Sequence, residues 1–307
     1  MKTDLDTMDH STLLAHYRAL ATSNGMLRRE AERRLARLRE SRRFFDVANN
    51  ELRSLLWRHY ALCRDLFGPP ALTARPPAQI PRELMDGYTM GGRIEIEYNY
   101  LDATYPSNWP LIYTDPEIDL YLDRIQRREW FIYGMTDFWM WDAIAKYPIR
   151  NLSVVNMGSL TPWYEATCLF YGARPTTIDY NPIITLSSRI RTMTIAEWDR
   201  EQPVFDVGWS ISSFEHDGLG MYGDPLDPEG DLKAMKKMKR IVKPGGLLFL
   251  SIPVGKDKIL FNNARVYGRL RLPLLTEGWE QLTTFGLEPV HLDGPGHIQP
   301  IFILRNN

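Results

Sequence analysis

Three loops of this 307-residue chain carry the residue types that chemistry needs. The first reads Gly158-Ser159-Leu160-Thr161-Pro162-Trp163 and follows a short apolar run. Its glycine suits a tight turn, and its two hydroxyls stand where a helix would begin and offer unpaired N–H groups. The second is Asp179-Tyr180-Asn181, with Asp179 lying 21 positions beyond Gly158. A carboxylate at that offset, one strand further on, is placed to accept both hydroxyls of a ribose. Together the two loops point to an adenosine-containing cofactor held by Gly158, Ser159, Trp163, Asp179, Tyr180 and Asn181. Glu197, beside Trp198, is expected to border the adenine, and Ser210, near the end of a later apolar run, completes the expected set.

The third loop runs Ser212-Ser213-Phe214-Glu215-His216-Asp217-Gly218-Leu219-Gly220-Met221-Tyr222-Gly223-Asp224. A histidine has an unperturbed pKa of about 6.5 and can take a proton from a hydroxyl near neutral pH. His216 is therefore the candidate base, with Glu215 or Asp217 orienting its ring or holding its positive charge. A histidine that only bonds a neighbouring loop is the plainer alternative. Tyr222, Asn262, Arg265, Tyr267 and Arg271 lie where an acceptor would enter, and guanidinium groups there suit a phosphate, a nucleotide-sugar or a uronate. Simple surface charge explains the arginines almost as well. His216, Asp217, Asp224, Asp227 and Asp231 could alternatively ring a divalent cation. Capping accounts for Asp227 and a turn for Asp224-Pro225, so no metal is assigned.

Elements must bring these loops together. From Asn151 onward short apolar runs alternate with helical patterns, which argues for an α/β fold with an open parallel sheet covered on both faces. Strands are expected at 152–157, 176–178, 206–211, 247–252, 288–292 and 301–304, and helices at 163–171, 183–191 and 231–242. Gly172 and the Lys243-Pro244-Gly245-Gly246 run supply helix stops. Ligands of such sheets bind beyond the C-terminal strand ends, where the three loops would converge. A dinucleotide needs the second and third glycines that are missing after Gly158. No tyrosine is followed four positions later by lysine, so a common reductase proton relay is absent too. S-adenosyl-L-methionine carries no phosphate and needs only a turn, an acidic ribose anchor and an amino-acid clamp, so it is the favoured cofactor.

The formal net charge of −1 divides into a basic head, +4 over residues 1–66, and an acidic body, −5 over the rest. Residues 13–66 contain no proline and repeat apolar residues at heptad spacing, which predicts a long amphipathic helix or helical hairpin. Eight arginines between Arg28 and Arg43 form a face best read as solvated, with pairs such as Glu30 and Arg34. Aromatics are not interleaved with them, so nucleic acid is not an expected partner, while peripheral contact with anionic lipid is left open. Pairing with a second copy through this helix is expected. Gly68-Pro69-Pro70 and the prolines up to Pro81 mark a linker, residues 93–100 alternate like a half-exposed strand, and the aromatic stretch 130–145 reads as a core helix rather than a sugar cleft. Cys63 and Cys168 fit neither a disulfide framework nor zinc spacing. The longest apolar run is far short of the roughly 20 residues of a membrane span, and the acidic start lacks the marks of a secretory signal, so a cytoplasmic location is expected.

Three stretches carry a resemblance: VNMGSLTPWYEATCLFYGARPTTIDYNP (155–182), FDVGWSISSFEHDGLGMYGDPLDPEGDLKAM (205–235) and KPGGLLFLSIPVGKDKILFNNARVYGRLRLP (243–273). Over residues 130–305 the chain resembles an uncharacterised family first catalogued in Caenorhabditis proteins, with bacterial members. That family is similar to class I S-adenosylmethionine-dependent methyltransferases. The resemblance implies a Rossmann-like sheet of seven strands, the last antiparallel, with Gly158 and Asp179 in the cofactor site. Asn156-Met157-Gly158-Ser159 departs from the usual acidic residue and multiple glycines of that site. Bacterial relatives resemble proteins of polysaccharide biosynthesis, which implies a sugar acceptor. The expectation is a helical, coiled-coil-like head over 1–68, a linker and accessory segment over 69–129, and a methyltransferase domain over 130–307. Its activity would be O-methylation of a sugar or glycan-like hydroxyl. A non-catalytic methyltransferase-like scaffold is the alternative, and an NAD(P)-dependent oxidoreductase is disfavoured by the single glycine.

Overall fold

Strands buried on both faces make the centre of the molecule. The computed structural model describes residues 77–101, 111–131, 133–294 and 297–307. Its main sheet contains β1 (Ser153–Met157), β2 (Arg174–Asp179), β3 (Arg191–Thr194), β4 (Phe205–Ile211), β5 (Val242–Ser251), β6 (Trp279–Phe285) and β7 (Ile301–Asn306). Their spatial order is β3-β2-β1-β4-β5-β7-β6. The first five run parallel, while β7 pairs antiparallel with both β5 and β6. This is the seven-stranded sheet that the resemblance implied, with its last strand reversed. The chain winds outward from β1 through β2 and β3 on one side, then crosses to β4 and β5 on the other. The crevice between β1 and β4 is therefore the switch point, where ligands of such sheets bind.

Side-chain alternation divides the apolar residues between two layers. Val154, Val207, Trp209, Ile211 and Phe249 face α1 (Asp115–Gln126), α2 (Met135–Lys146) and α3 (Trp163–Phe170). Val155, Ile178, Leu248, Leu250 and Phe302 face the opposite layer, which includes α4 (Ile195–Glu201) and α5 (Gly230–Ile241). Burying a Leu, Ile or Phe side chain contributes about 1.5–3 kcal/mol. In α5 the buried residues Asp231, Met235, Met238 and Ile241 recur at helical spacing. Gly208 lets that helix approach: a Cβ there would lie 2.5 Å from Met238 Cε and 2.8 Å from Val242 Cγ2.

Two expected elements differ. Residues 183–191 do not form a helix. Ile183–Thr185 is a strand that pairs in parallel with Leu111–Tyr113, and β3 follows it. β-branched Ile183, Ile184 and Thr185 suit a strand, and the partner that decides the matter lies some 70 residues earlier. The strand expected at 288–292 is a 3₁₀ turn, Pro289–Asp293, started by its proline. The strand in that region is β6, whose edge position leaves most of it half-buried or exposed, so it lacks a strong apolar run.

The helical head, Cys63 and most of the expected linker lie outside the described residues. From Ile80 onward the accessory segment is built into the body. Glu95–Tyr98 pairs in parallel with Lys258–Phe261, and Ile80, Tyr88 and Ile94 pack with Leu219, Ile259 and Phe261. The aromatic stretch forms α2, with Phe131, Met140, Trp141 and Ile144 buried, so core packing holds there. Among the described residues, no helix is long and apolar enough to cross a membrane.

Candidate active site

The loops after β1, β2 and β4 meet at the switch point. Gly158 closes β1 at φ +69°, and a Cβ there would lie 2.7 Å from Ser213 Oγ and 3.9 Å from Asp179 Oδ2. Glycine is required both by the left-handed backbone and by this close approach. Asp179 ends β2, and its Oδ1 accepts the Asn181 N–H at 2.8 Å. Burial pushes the Asp179 carboxyl up, and the backbone N–H groups of Asn181, Ser159 and Tyr180 pull it back. Asn181 thus serves through its backbone, while the Tyr180 side chain is 67% exposed at the rim.

Ser159 is held from both sides. Its carbonyl accepts the Tyr113 hydroxyl at 2.8 Å, and its Oγ lies 2.8 Å from Thr161 O and 3.3 Å from Glu165 Oε2. Glu165 is fully buried on α3 and its Oε1 accepts the Thr177 hydroxyl at 2.5 Å. Burial pushes its pKa up to about 7, against the pull of the Thr177 and Ser159 bonds.

The third loop follows β4 through a short 3₁₀ turn, Phe214–His216. His216 Nδ1 lies 2.6 Å from the Asn263 carbonyl. A carbonyl can only accept, so Nδ1 carries the proton and Nε2 of the neutral ring keeps its lone pair. Nε2 stands 3.8 Å from Glu215 Oε1, and the Tyr222 ring meets the imidazole edge-on at 5.5 Å. Glu215 is fully buried; Ser212 donates to its Oε1 at 2.6 Å and Gln299 Nε2 does so at 3.5 Å. Burial raises its pKa, partly offset by His216 and Ser212. Of the two acids expected beside the histidine, Glu215 is the one within reach. Asp217 sits near Asp224 instead, and burial together with that second carboxyl pushes it well above the usual carboxylate range.

Several expected contacts prove to be supports. Arg265 is fully buried and donates to the backbone carbonyls of Asp217 at 2.5 Å and Asp227 at 3.1 Å. Arg271 grips Asp231 through Nε at 2.9 Å and Nη2 at 2.6 Å, and the Tyr267 hydroxyl donates to the same carboxylate at 2.9 Å. Desolvation opposes the charge on Asp231, yet these partners hold its pKa below the usual value. The three residues thus staple the third loop to the start of α5 instead of reaching an acceptor. Asn262 is buried and its Oδ1 accepts the Leu101 N–H at 2.8 Å, which ties the accessory strand down. Of the acids considered above for a divalent cation, Asp227 is paired with Lys233 and Asp231 with Arg271.

Three expected cofactor contacts also move. Trp163 is 1% exposed and packs with Tyr121 and Phe131, its Nε1 donating to Asp137 at 3.1 Å, so its indole belongs to the core. Glu197 closes a capping box with Thr194, accepting the Thr194 N–H at 2.6 Å, and is a helix cap rather than an adenine contact. Ser210 is fully buried and alternates with Trp209 and Ile211, so it points into the opposite layer. Glu165, Ser212 and Gln299 were missed. Only Glu165 left a signal, as a lone acid within the apolar helix WYEATCLF.

Residues 151–292 match the DUF268 family. Its description is "Caenorhabditis protein of unknown function", and the matched span contains all three loops, in agreement with the resemblance carried by the sequence blocks. No curated protein matches the chain. Among solved structures, the chain is similar to the 1,6-didemethyltoxoflavin-N1-methyltransferase of Burkholderia thailandensis, solved with 1,6-didemethyltoxoflavin and S-adenosylhomocysteine bound. That likeness is 14% identical with a TM-score of 0.42, over 61% of this chain and 85% of that one. The N-methyltransferase NodS of Bradyrhizobium japonicum is 14% identical with a TM-score of 0.38, over 60% and 96%. TehB of Haemophilus influenzae is 15% identical with a TM-score of 0.38, over 62% and 67%. At these scores the likenesses carry no weight for activity, which is argued from this chain's own residues.

Proposed function

We propose that this chain is an S-adenosylmethionine-dependent methyltransferase acting on the hydroxyl of a sugar or glycan-like acceptor. One observation carries the reading: the loops bearing Gly158, Asp179 and His216 meet at the switch point of the sheet, with Ser213 and Asp179 crowding the space a Cβ at 158 would need. That cradle fits a nucleoside whose ribose hydroxyls are accepted by Asp179, and its one turn asks for no pyrophosphate. The cofactor supplies an electrophilic methyl group on a sulfonium. His216 takes the acceptor's proton on Nε2, because Nδ1 is already committed to the Asn263 carbonyl. Glu215, 3.8 Å away, balances the imidazolium that results. Arg265 fixes the loop carbonyls on either side of Gly218, so the base is held in place before the acceptor arrives. Tyr222, edge-on to the imidazole, offers a wall suited to a sugar face.

Calorimetry with S-adenosylhomocysteine tests the cofactor. Asp179→Ala removes a charged acceptor worth about 1.5–3 kcal/mol, so affinity should fall at least about tenfold. Equal affinity in that variant, or no binding to the native chain at millimolar ligand, refutes the reading. His216→Ala should keep the cofactor affinity and lose about 10²–10⁴ in turnover on a glycan acceptor.

A further inference from the structure

The accessory strand Glu95–Tyr98 has two faces of different character. Glu95 and Glu97 take one side and pair with Lys256 at 3.7 Å and Lys258 at 3.2 Å. Ile94, Ile96 and Tyr98 take the other, where the two isoleucines pack with Phe261 and with Leu219 of the third loop. The Tyr98 ring meets the Phe261 ring edge-on at 6.0 Å and is 49% exposed. Beyond the strand, the Asn99 N–H donates to the Phe261 carbonyl at 2.7 Å and the Leu101 N–H to Asn262 Oδ1 at 2.8 Å. Alternation therefore continues past Tyr98 and puts Tyr100, 40% exposed, on the same side. A face that is core at Ile94 thus emerges as a half-exposed tyrosine ledge.

That ledge adjoins the proposed base. Phe261 carries Tyr98, Asn262 holds Leu101, and the carbonyl of the next residue, Asn263, holds His216 Nδ1 at 2.6 Å. Consecutive Cα atoms lie about 3.8 Å apart and paired strands about 4.8 Å, so Tyr98 stands within roughly 12 Å of the residue that anchors the histidine. An acceptor longer than one sugar can span both.

The surroundings select the ligand. A tyrosine offers an electron-rich ring face and a hydroxyl at its tip, which suits a ligand with apolar C–H faces and a hydroxylated edge. A pyranose ring has both. An anion is poorly served: Arg265 is engaged by the carbonyls of Asp217 and Asp227, Arg269 by Asp293 and Arg271 by Asp231. Glu215, Asp217 and Asp224 belong to the loop itself. We propose that Tyr98 and Tyr100 form an outer acceptor subsite for a neutral glycan, one sugar ring lying on the ledge while the hydroxyl to be methylated reaches His216. The assignment deepens the sugar reading above and rests on it. It replaces the phosphate, nucleotide-sugar or uronate that unengaged arginines would have favoured.

The test is binding of the full chain, with S-adenosylhomocysteine present, to an array of neutral, uronate-bearing and phosphorylated glycans. Signal should concentrate on neutral glycans. Their affinity should fall about tenfold in Tyr98→Ala and in Tyr100→Ala, and stay within about twofold in Tyr98→Phe, which keeps the ring. S-adenosylhomocysteine affinity, and the mass measured by light scattering, should be the same in every variant. A preference for charged glycans, or neutral-glycan binding that ignores both alanine variants, refutes the subsite and leaves the sugar reading standing. Binding of S-adenosylhomocysteine but of no glycan refutes the subsite and the sugar acceptor together. A fall in mass in Tyr98→Ala makes the ledge a contact between copies of the chain and equally overturns the proposal.

Discussion

Replacing Glu165 by glutamine should remove a pH-dependent loss of stability whose size follows from its surroundings. The carboxyl is fully buried, receives the Thr177 hydroxyl at 2.5 Å and lies 3.3 Å from Ser159 Oγ. No ion pair to Glu165 occurs among the described residues, and burial moves its pKa from 4.5 to about 7. Below about pH 4.5 the group is protonated whether the chain is folded or not, and it costs nothing. Between 4.5 and 7 the unfolded chain gives up the proton while the folded chain keeps it, so stability falls as pH rises; above about 7 the loss is complete. At 1.36 kcal/mol for each tenfold in proton affinity, the total is about 3 kcal/mol. Glu165→Gln keeps the shape and both hydrogen-bonding positions without the charge. Urea unfolding of the two full-length proteins at pH 5, 6, 7 and 8 should show the variant gaining on the native chain by most of that amount across the series. Neighbouring Glu117, pushed to about 8 by burial and further raised by Glu165, should relax downward in the variant. A stability difference that stays constant with pH refutes both the burial of a neutral acid here and its magnitude.

Arg271→Met strips Asp231 of its bidentate partner and leaves a buried carboxylate; thermal or urea unfolding should register about 3–5 kcal/mol of destabilisation, and a loss under 1 kcal/mol contradicts the staple. Glu197→Ala opens the capping box of α4, so thermal unfolding should show a small loss of stability with no change in S-adenosylhomocysteine affinity. A marked loss of that affinity would return Glu197 to the adenine.

What could be read from the sequence divides by the range of the interaction. β1, β4, β5 and β7 are apolar runs because the central strands of this sheet are covered on both faces, and such runs announce themselves. Gly158 and Asp179 were legible for the same reason: each sits at the end of such a run, where topology alone decides its neighbourhood. Arg265 and Arg271 were misplaced because their types say nothing of direction. A guanidinium facing solvent and one facing Asp231, 34 or 40 positions away, are spelled alike. Glu215 and Asp217 flank His216 symmetrically in sequence, and only the turn at Phe214–His216 decides which one reaches the ring. Ile183–Thr185 was misread because its partner strand comes from the accessory segment, beyond any local pattern.

The accessory segment also governs the order in which the molecule can be assembled. The Tyr88 hydroxyl donates to the carbonyl of Gly218, the Leu101 N–H to Asn262 Oδ1 and the Gln299 amide to Ser212, so the ring of contacts around His216 is drawn from chain positions up to 161 residues apart. Such closures come at a high loop entropy and late in folding. On a ribosome the accessory segment emerges before the sheet and must wait, undocked, until residues 258–261 have been made. The parallel strands β1 to β5 pair with one another without the accessory segment, but the loop bearing His216 is held by it. A nick that spares every strand of the main sheet and removes the residues before Ile94 would therefore leave a folded protein with an unsupported histidine.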